Sequence, residues 1–322
     1  MIKIVILILI IVIILCCVKR FRESFNSKVI TYLNTKNVCS ILKNIDYKYN
    51  KLDIKLRHIP PEYHKHIYKF YCDHLLDFTD LDKKLLGWVI DAMKSKLPKN
   101  LLYIFEHIKF AKFRNNVENG FPHTNYDVIF ITDSFISELL GYYNNNNING
   151  AIKNIGGIIV HECVHVLQRK EPEAFNQLYS NYWKFVKVRK IHNNESISKK
   201  IRYNPDGHDT NWVFSFRGKH IYILSVYDKD ATNIGQVNII GIYVEKAGDS
   251  YVIPSGAKHH KLIDIKEFTE YFEHLYGNHY HPNEISAELL SIYYLKAMKI
   301  SHKNYTNIGY RNMLVWLNKF LK

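Results

Sequence analysis

The segment Gly156-Gly157-Ile158-Ile159-Val160-His161-Glu162-Cys163-Val164-His165-Val166-Leu167 sets two histidines four residues apart inside an apolar run. On an α-helix residues at that spacing share a face, so both imidazoles can reach one ion. Glu162 projects from the adjacent position, where its carboxylate meets a water on the ion rather than the ion itself. The cation acidifies the water and the carboxylate takes the proton, which is the chemistry of metal-assisted hydrolysis. The chain has 17 histidines, so a chance pairing must be weighed. Against chance, the flanking valines and isoleucines bury the pair, and unpaired polar groups are costly there. The helix is predicted over 156–170, ending before Pro172, because proline disfavours helix in the residue ahead of it.

A catalytic zinc takes three protein ligands and a water. In the metzincin pattern a glycine and a third histidine follow the motif, but here those positions hold Gln168 and Glu171, and Glu171 falls beyond the helix register. Further on stands His281-Pro282-Asn283-Glu284-Ile285-Ser286-Ala287-Glu288. With it the chain resembles the gluzincin group of zinc metallopeptidases, whose second helix presents an Asn-Glu ligand and an acidic residue four places later. The resemblance implies one Zn2+ per chain on His161, His165 and Glu284, with Glu162 as general base. It also implies Glu288 as acceptor for the free ring N–H of a ligating histidine. The fold it implies is α+β and zincin-like, with the motif helix packed on a small mixed sheet. The implied reaction is hydrolysis of a peptide or protein substrate. Only the two short motifs carry the resemblance, not the N-terminal region or the β-rich insert. A solvated helix face is the ordinary fate of Glu284 and Glu288, but like charges at that spacing repel without a cation between them.

The oxyanion of a tetrahedral intermediate needs a donor. Tyr276, His279, Tyr280 and His281 precede Glu284, and Tyr280 and Tyr276 are the first choices, each with plain packing as its alternative. Gln168, one turn beyond His165, is expected either to hydrogen-bond near the site or to pack between helices. The strand Asp127 to Thr132 is expected at the cleft edge, where an extended peptide would pair with it, with His123 and Thr124 at its start. The turn from Asn204 to Trp212 is expected to overhang the site.

The rest of the chain divides into an N-terminal hydrophobic anchor (1–22), a helical region (23–100) and a catalytic region (101–322) with a β-rich insert at about 204–255. Ile4 to Val18 is wholly apolar and is followed by Lys19, Arg20 and Arg22. At ~1.5 Å per residue the run is short for a ~30 Å hydrocarbon core, and it lacks a small-residue cleavage site. It reads as an uncleaved single-pass anchor, with a removed signal as the alternative. The basic flank leans the body towards the cytoplasmic side. Helices are expected at Pro61 to Leu76, Asp80 to Lys96 and Glu173 to Arg189, and in three pieces after Ile265. Strands are expected at Leu101 to Phe113, Trp212 to Phe216, His220 to Tyr227, Val237 to Glu245 and Ser250 to Ile253.

The net charge of +14 is dispersed through a chain rich in Lys, Asn, Ile and Tyr, as an AT-rich genome would produce. Nucleic-acid or anionic-lipid binding therefore stands as a rival with charge as its sole support. The other rival is a non-catalytic membrane-anchored zinc protein, against which the intact Glu162 weighs. Cys39 and Cys72 read as isolated, and the five cysteines as no disulfide framework.

Overall fold

Why the histidine-bearing helix is buried becomes clear from what surrounds it in the computed structural model, which describes residues 30–106, 108–192, 195–206, 211–273, 279–301 and 305–320. The apolar run 4–18 and Tyr276 lie outside the described residues. Among the described residues no helix is long and apolar enough to cross a membrane.

The described residues form a mixed α+β architecture with three sheets. The first joins β1 (Thr31–Tyr32), β2 (Leu75–Leu76), β3 (Lys109–Phe113), β4 (His123–Asn125) and β5 (Val128–Thr132) in the order β1-β3-β5-β4, with β2 also on β3. The second sheet orders β13 (His259–Lys261), β10 (Val237–Tyr243), β9 (Lys219–Tyr227), β8 (Trp212–Phe216) and β6 (Phe185–Lys187), all antiparallel. Short strands β7 (Ile191–His192), β11 (Glu245–Ala247) and β12 (Ser250–Val252) form the third.

The motif helix, Gly157–Lys170, follows a π-helical segment, Ile152–Gly156. It packs against β4 and β5 and against the glutamate helix, Pro282–Ala297. The two helices approach closely at Gly157, whose carbonyl accepts from Ser291 Oγ at 2.8 Å. A Cβ at Gly157 would lie 3.4 Å from Leu295 Cδ1. One apolar core surrounds them: Ile159, Val160, Cys163 and Val164 from the motif helix meet Ile285, Leu289 and Tyr294 from the other.

Several expectations are corrected. Leu101 to Phe113 is not one strand: Lys99–Phe105 is 3-10 helix after Pro98, because Leu101, Ile104 and Phe105 recur at helical spacing and are buried. The helix expected over 173–189 ends early. Pro172–Gln177 is α-helical and Leu178–Tyr182 π-helical, and Lys184 at φ 63 turns the chain into β6. There Phe185 is buried and Val186 exposed, a strand alternation. Pro61 to Leu76 breaks into Pro61–Tyr63, Ile67–Asp73 and β2. β5 is not an edge strand, since it lies between β3 and β4. Cys39 and Cys72 are joined in a disulfide, their Cα atoms 5.2 Å apart, where the helices Thr35–Leu42 and Ile67–Asp73 pack together.

A buried ionic cluster ties distant segments together. Arg57, 3% exposed, donates from Nη1 to Asp53 Oδ1 at 3.0 Å and from Nε to Glu118 Oε1 at 2.9 Å. Its Nη2 donates to the Tyr203 carbonyl at 2.8 Å, and its guanidinium stacks 4.0 Å over Tyr49. Tyr227 donates to Asp53 Oδ1 at 2.7 Å. The helical region, the loop before β4 and the β-rich insert therefore meet at one side chain.

Candidate metal centre

Gln168 orients the first ligand. Its Nε2 donates to the Asn283 carbonyl at 2.9 Å, which can only accept, so Oε1 is the atom 2.9 Å from His165 Nδ1. His165 Nδ1 is thereby the donor, and Nε2 keeps its lone pair. That lone pair faces His161 Nε2 at 3.1 Å and Glu284 Oε1 at 3.6 Å, while His161 Nε2 lies 3.4 Å from Glu284 Oε2. Glu288 Oε2 stands 4.0 Å from His161 Nδ1, on the side opposite the cluster, and so favours the same tautomer there.

Two nitrogen lone pairs and a carboxylate turned towards one another repel unless something positive lies among them. Ligands ~2.0–2.2 Å from a tetrahedral zinc sit roughly 3.3–3.6 Å apart; the two histidine–carboxylate separations, 3.4 and 3.6 Å, fall in that spread, and the histidine pair at 3.1 Å lies slightly inside it. The donor set fits a cation of this size and charge. Local electrostatics agree: burial opposes a charge on His165, yet Glu284, Asp206 and Glu162 outweigh it and push the imidazole up to about 10. His161 is raised as well, with burial opposing and the hydrogen bond to Glu284 prevailing. The centre demands positive charge, and a metal ion would supply it in place of protons.

Glu162 is 5% exposed, and its Oε2 has no hydrogen-bond partner. Burial, and then the nearby charge of Asp206, pushes its carboxyl up to about 7. It lines a cleft of about 190 Å³ with His161 and Glu284, facing Glu118, His123 and Arg202. Cys163, between the motif histidines in sequence, is a buried free thiol raised by burial and packs into the core.

The loop before β8 contributes groups that the sequence did not mark as site residues. Asn204 Nδ2 donates to Glu284 Oε1 at 2.8 Å and holds that carboxylate towards the histidines. Asp206 Oδ1 accepts from Thr124 N at 2.6 Å and Thr124 Oγ1 at 3.0 Å, and Arg169 donates to the Asp206 carbonyl and to Thr124 Oγ1. Asp206 also forms a second possible ligand group with Glu162 and His165. His165 has a single nitrogen left for coordination, so the two groups describe alternatives for one ion. Glu284 lies within 3.4–3.6 Å of both histidines, whereas the Asp206 group leaves His161 out, so Glu284 is the third ligand that uses the whole motif.

Tyr280 is buried, and its hydroxyl has no partner of normal geometry, although the Asn204 side chain lies alongside. It lines a neighbouring hollow and is not among the residues lining the metal cleft. His123, stacked on Phe130, does line the cleft, with Nδ1 bonded to the Phe121 carbonyl at 3.2 Å and Nε2 unpartnered. The edge strand is β4, and its outward groups are occupied: the Thr124 N–H by Asp206, the Thr124 carbonyl by Arg169. An added peptide strand would have to displace both. No family model matches this chain, and neither a curated protein nor a solved structure does.

Proposed function

We propose that the chain is a zinc-dependent metallohydrolase that cleaves peptide bonds, built on a zincin-like pairing of two helices. The observation that carries this reading is the convergence of His161, His165 and Glu284 beside a cleft that Glu162 also lines, with Glu162 Oε2 lacking a hydrogen-bond partner. His161, His165 and Glu284 would hold a zinc ion, which would supply Lewis acidity and lower the pKa of a water there. Glu162 accepts the proton of the attacking water and returns it to the leaving amine. Gln168, Asn204 and Glu288 position the ligands.

Zinc content of the full-length protein tests the reading, comparing wild type with Glu284→Ala and Glu162→Gln. The expected result is about one zinc per chain in wild type and Glu162→Gln and none in Glu284→Ala. Peptide cleavage in Glu162→Gln should fall at least ~10²-fold. Wild-type protein that purifies without zinc and takes none up sinks the proposal.

A closed, non-catalytic zinc site is the second reading, favoured by Asp206 standing within ligand distance of Glu162 and His165. Asp206→Asn keeps the Oδ1 acceptor for Thr124 but removes the charge. A structural site that uses Asp206 would lose zinc in this variant, and the catalytic site would retain it. The run 4–18 we read as a membrane anchor, with secretion after its removal as the alternative. The Cys39–Cys72 pair favours a body facing an oxidising compartment over the cytoplasmic side suggested by the basic flank.

A further inference from the structure

The loop 201–206, which carries Asn204 to the metal centre, is fastened along its length. The Ile201 carbonyl accepts from Asn50 Nδ2 at 2.9 Å, Arg202 N donates to the Ser225 carbonyl at 2.9 Å, and Tyr203 N donates to Asp53 Oδ1 at 3.0 Å. The Tyr203 carbonyl accepts from Arg57, Asn204 donates to Glu284, and Asp206 accepts from Thr124. The exception is the side chain of Arg202. It is half-buried, and among the described residues its guanidinium makes no hydrogen bond or ion pair. Nε is sealed from solvent, whereas the two terminal nitrogens are not. The side chain stands in the wall of the metal cleft with His161, Glu162 and Glu284, and equally in the wall of the neighbouring hollow of about 220 Å³.

A guanidinium taken partly out of water is ordinarily matched by an anion or by acceptors, and leaving it unmatched costs stability. The carboxylates of the cleft do not match this one: Glu118 is held by Arg57, Asp206 by Thr124, and Glu284 by Asn204 beside the histidines. A cation left over on so firmly anchored a loop is preorganised for an anion that arrives from outside. We propose that Arg202 anchors the substrate in the metal cleft by receiving a carboxylate of the peptide, either the one at its C terminus or that of an acidic side chain. The planar fork of a guanidinium meets a carboxylate through two parallel N–H···O bonds, and the accessible terminal nitrogens are the pair such a contact uses. An amide in place of the carboxylate brings one acceptor oxygen instead of two and no charge, so the amidated form of the same peptide binds less tightly.

The anion site stands on the unmatched guanidinium, whereas its place in catalysis rests on the hydrolase reading, and two measurements separate them. The first is binding of N-acetylglycine, N-acetylglycinamide and N-acetylglutamate α-amide to the full-length protein, followed by ligand-observed NMR. At least one of the two carboxylates should bind ~tenfold tighter than the uncharged amide, and which one does so identifies the source of the carboxylate. That preference should vanish in Arg202→Met. Equal binding of all three to folded wild type overturns the proposal, as does a preference that survives in folded Arg202→Met, since the metal or the general positive charge would then be its cause. Thermal melts check the fold: Arg202→Met removes an unmatched charge and should melt no lower than wild type, and Arg202→Gln decides the matter if the methionine variant does not fold. A melting temperature lowered in both variants would show a guanidinium matched inside the fold and sink the assignment. The second measurement is cleavage of peptides with a free or amidated C terminus, and with glutamate or glutamine beside the scissile bond. Arg202→Met should raise KM ~tenfold for the carboxylate member of one pair and leave kcat within about twofold. An equal effect on both members of each pair also overturns the proposal. Selective carboxylate binding without cleavage of any peptide upholds the anchor and removes the peptidase reading alone.

Discussion

Gln168 makes three bonds that no other side chain could make together: it accepts from His165 and donates to the Asn283 carbonyl and to Ser286 Oγ. Replacing it with leucine frees His165 to rotate or change tautomer and leaves buried groups unpaired. Zinc affinity should then fall ~10–100-fold, measured by competition with a chelator, and stability by ~1–3 kcal/mol. Gln168→Glu keeps the acceptor and should hold zinc better than the leucine variant. What the sequence revealed at this scale follows from distance along the chain. His161, Glu162 and His165 are legible because one helical turn dictates their geometry. Glu284 is legible through the Asn-Glu spacing of a second helix. Asn204 and Asp206 are not, because their contacts to Glu284 and Thr124 span some 80 residues with no periodic pattern between them. The same holds for Cys39 and Cys72, separated by 33 residues.

The two helices that hold the ligands need a narrow crossing. A methyl group at Gly157 would touch Leu295 at ordinary contact distance, and a longer side chain would push the glutamate helix away. Gly157→Ala should therefore be neutral or slightly stabilising, whereas Gly157→Leu should cost ~1–3 kcal/mol in urea unfolding and weaken zinc binding as well. Loss of stability without loss of zinc affinity would show that the crossing does not set the ligand geometry. Elsewhere the helix Asp80–Lys96 begins in a capping box in which Thr79 and Asp82 satisfy each other's backbone N–H groups. Asp82 also accepts from buried Lys112 Nζ at 2.7 Å. Thr79→Ala should cost ~1 kcal/mol. The elements read most faithfully from sequence are those with a clean period of their own. Trp212–Phe216 and Asp80–Lys96 fall where expected, while the segment after Pro172 reads as continuing helix because nothing in its composition announces the positive φ at Lys184.

For the molecule as a whole, Arg57 ties together segments far apart in the chain, bonding to Asp53, Glu118 and the Tyr203 carbonyl. Arg57→Met leaves Asp53 and Glu118 buried without their cation and should destabilise the protein by ~3–5 kcal/mol. The same cluster predicts a pH dependence. Burial alone would raise the Glu118 carboxyl, but Arg57, with help from His123 and Tyr71, holds it below its ordinary value. A depressed carboxyl stabilises the fold above its unfolded value of ~4.3, and that contribution is lost as the pH falls through the lower folded value. In denaturant titrations the stability gap between wild type and Glu118→Gln should hold from pH 7 to 5 and close on further acidification. A gap that widens in acid would refute the assignment. Because Asp53 and Arg57 belong to the helical region, yet support the cleft wall at Glu118, that region is a permanent component of the fold around the cleft. Proteolytic removal of a leader reaching as far as residue 57 would take Asp53 and Arg57 away from Glu118 and dismantle the cleft wall, and a cut between residues 39 and 50 would leave the leader tethered through Cys39 to Cys72.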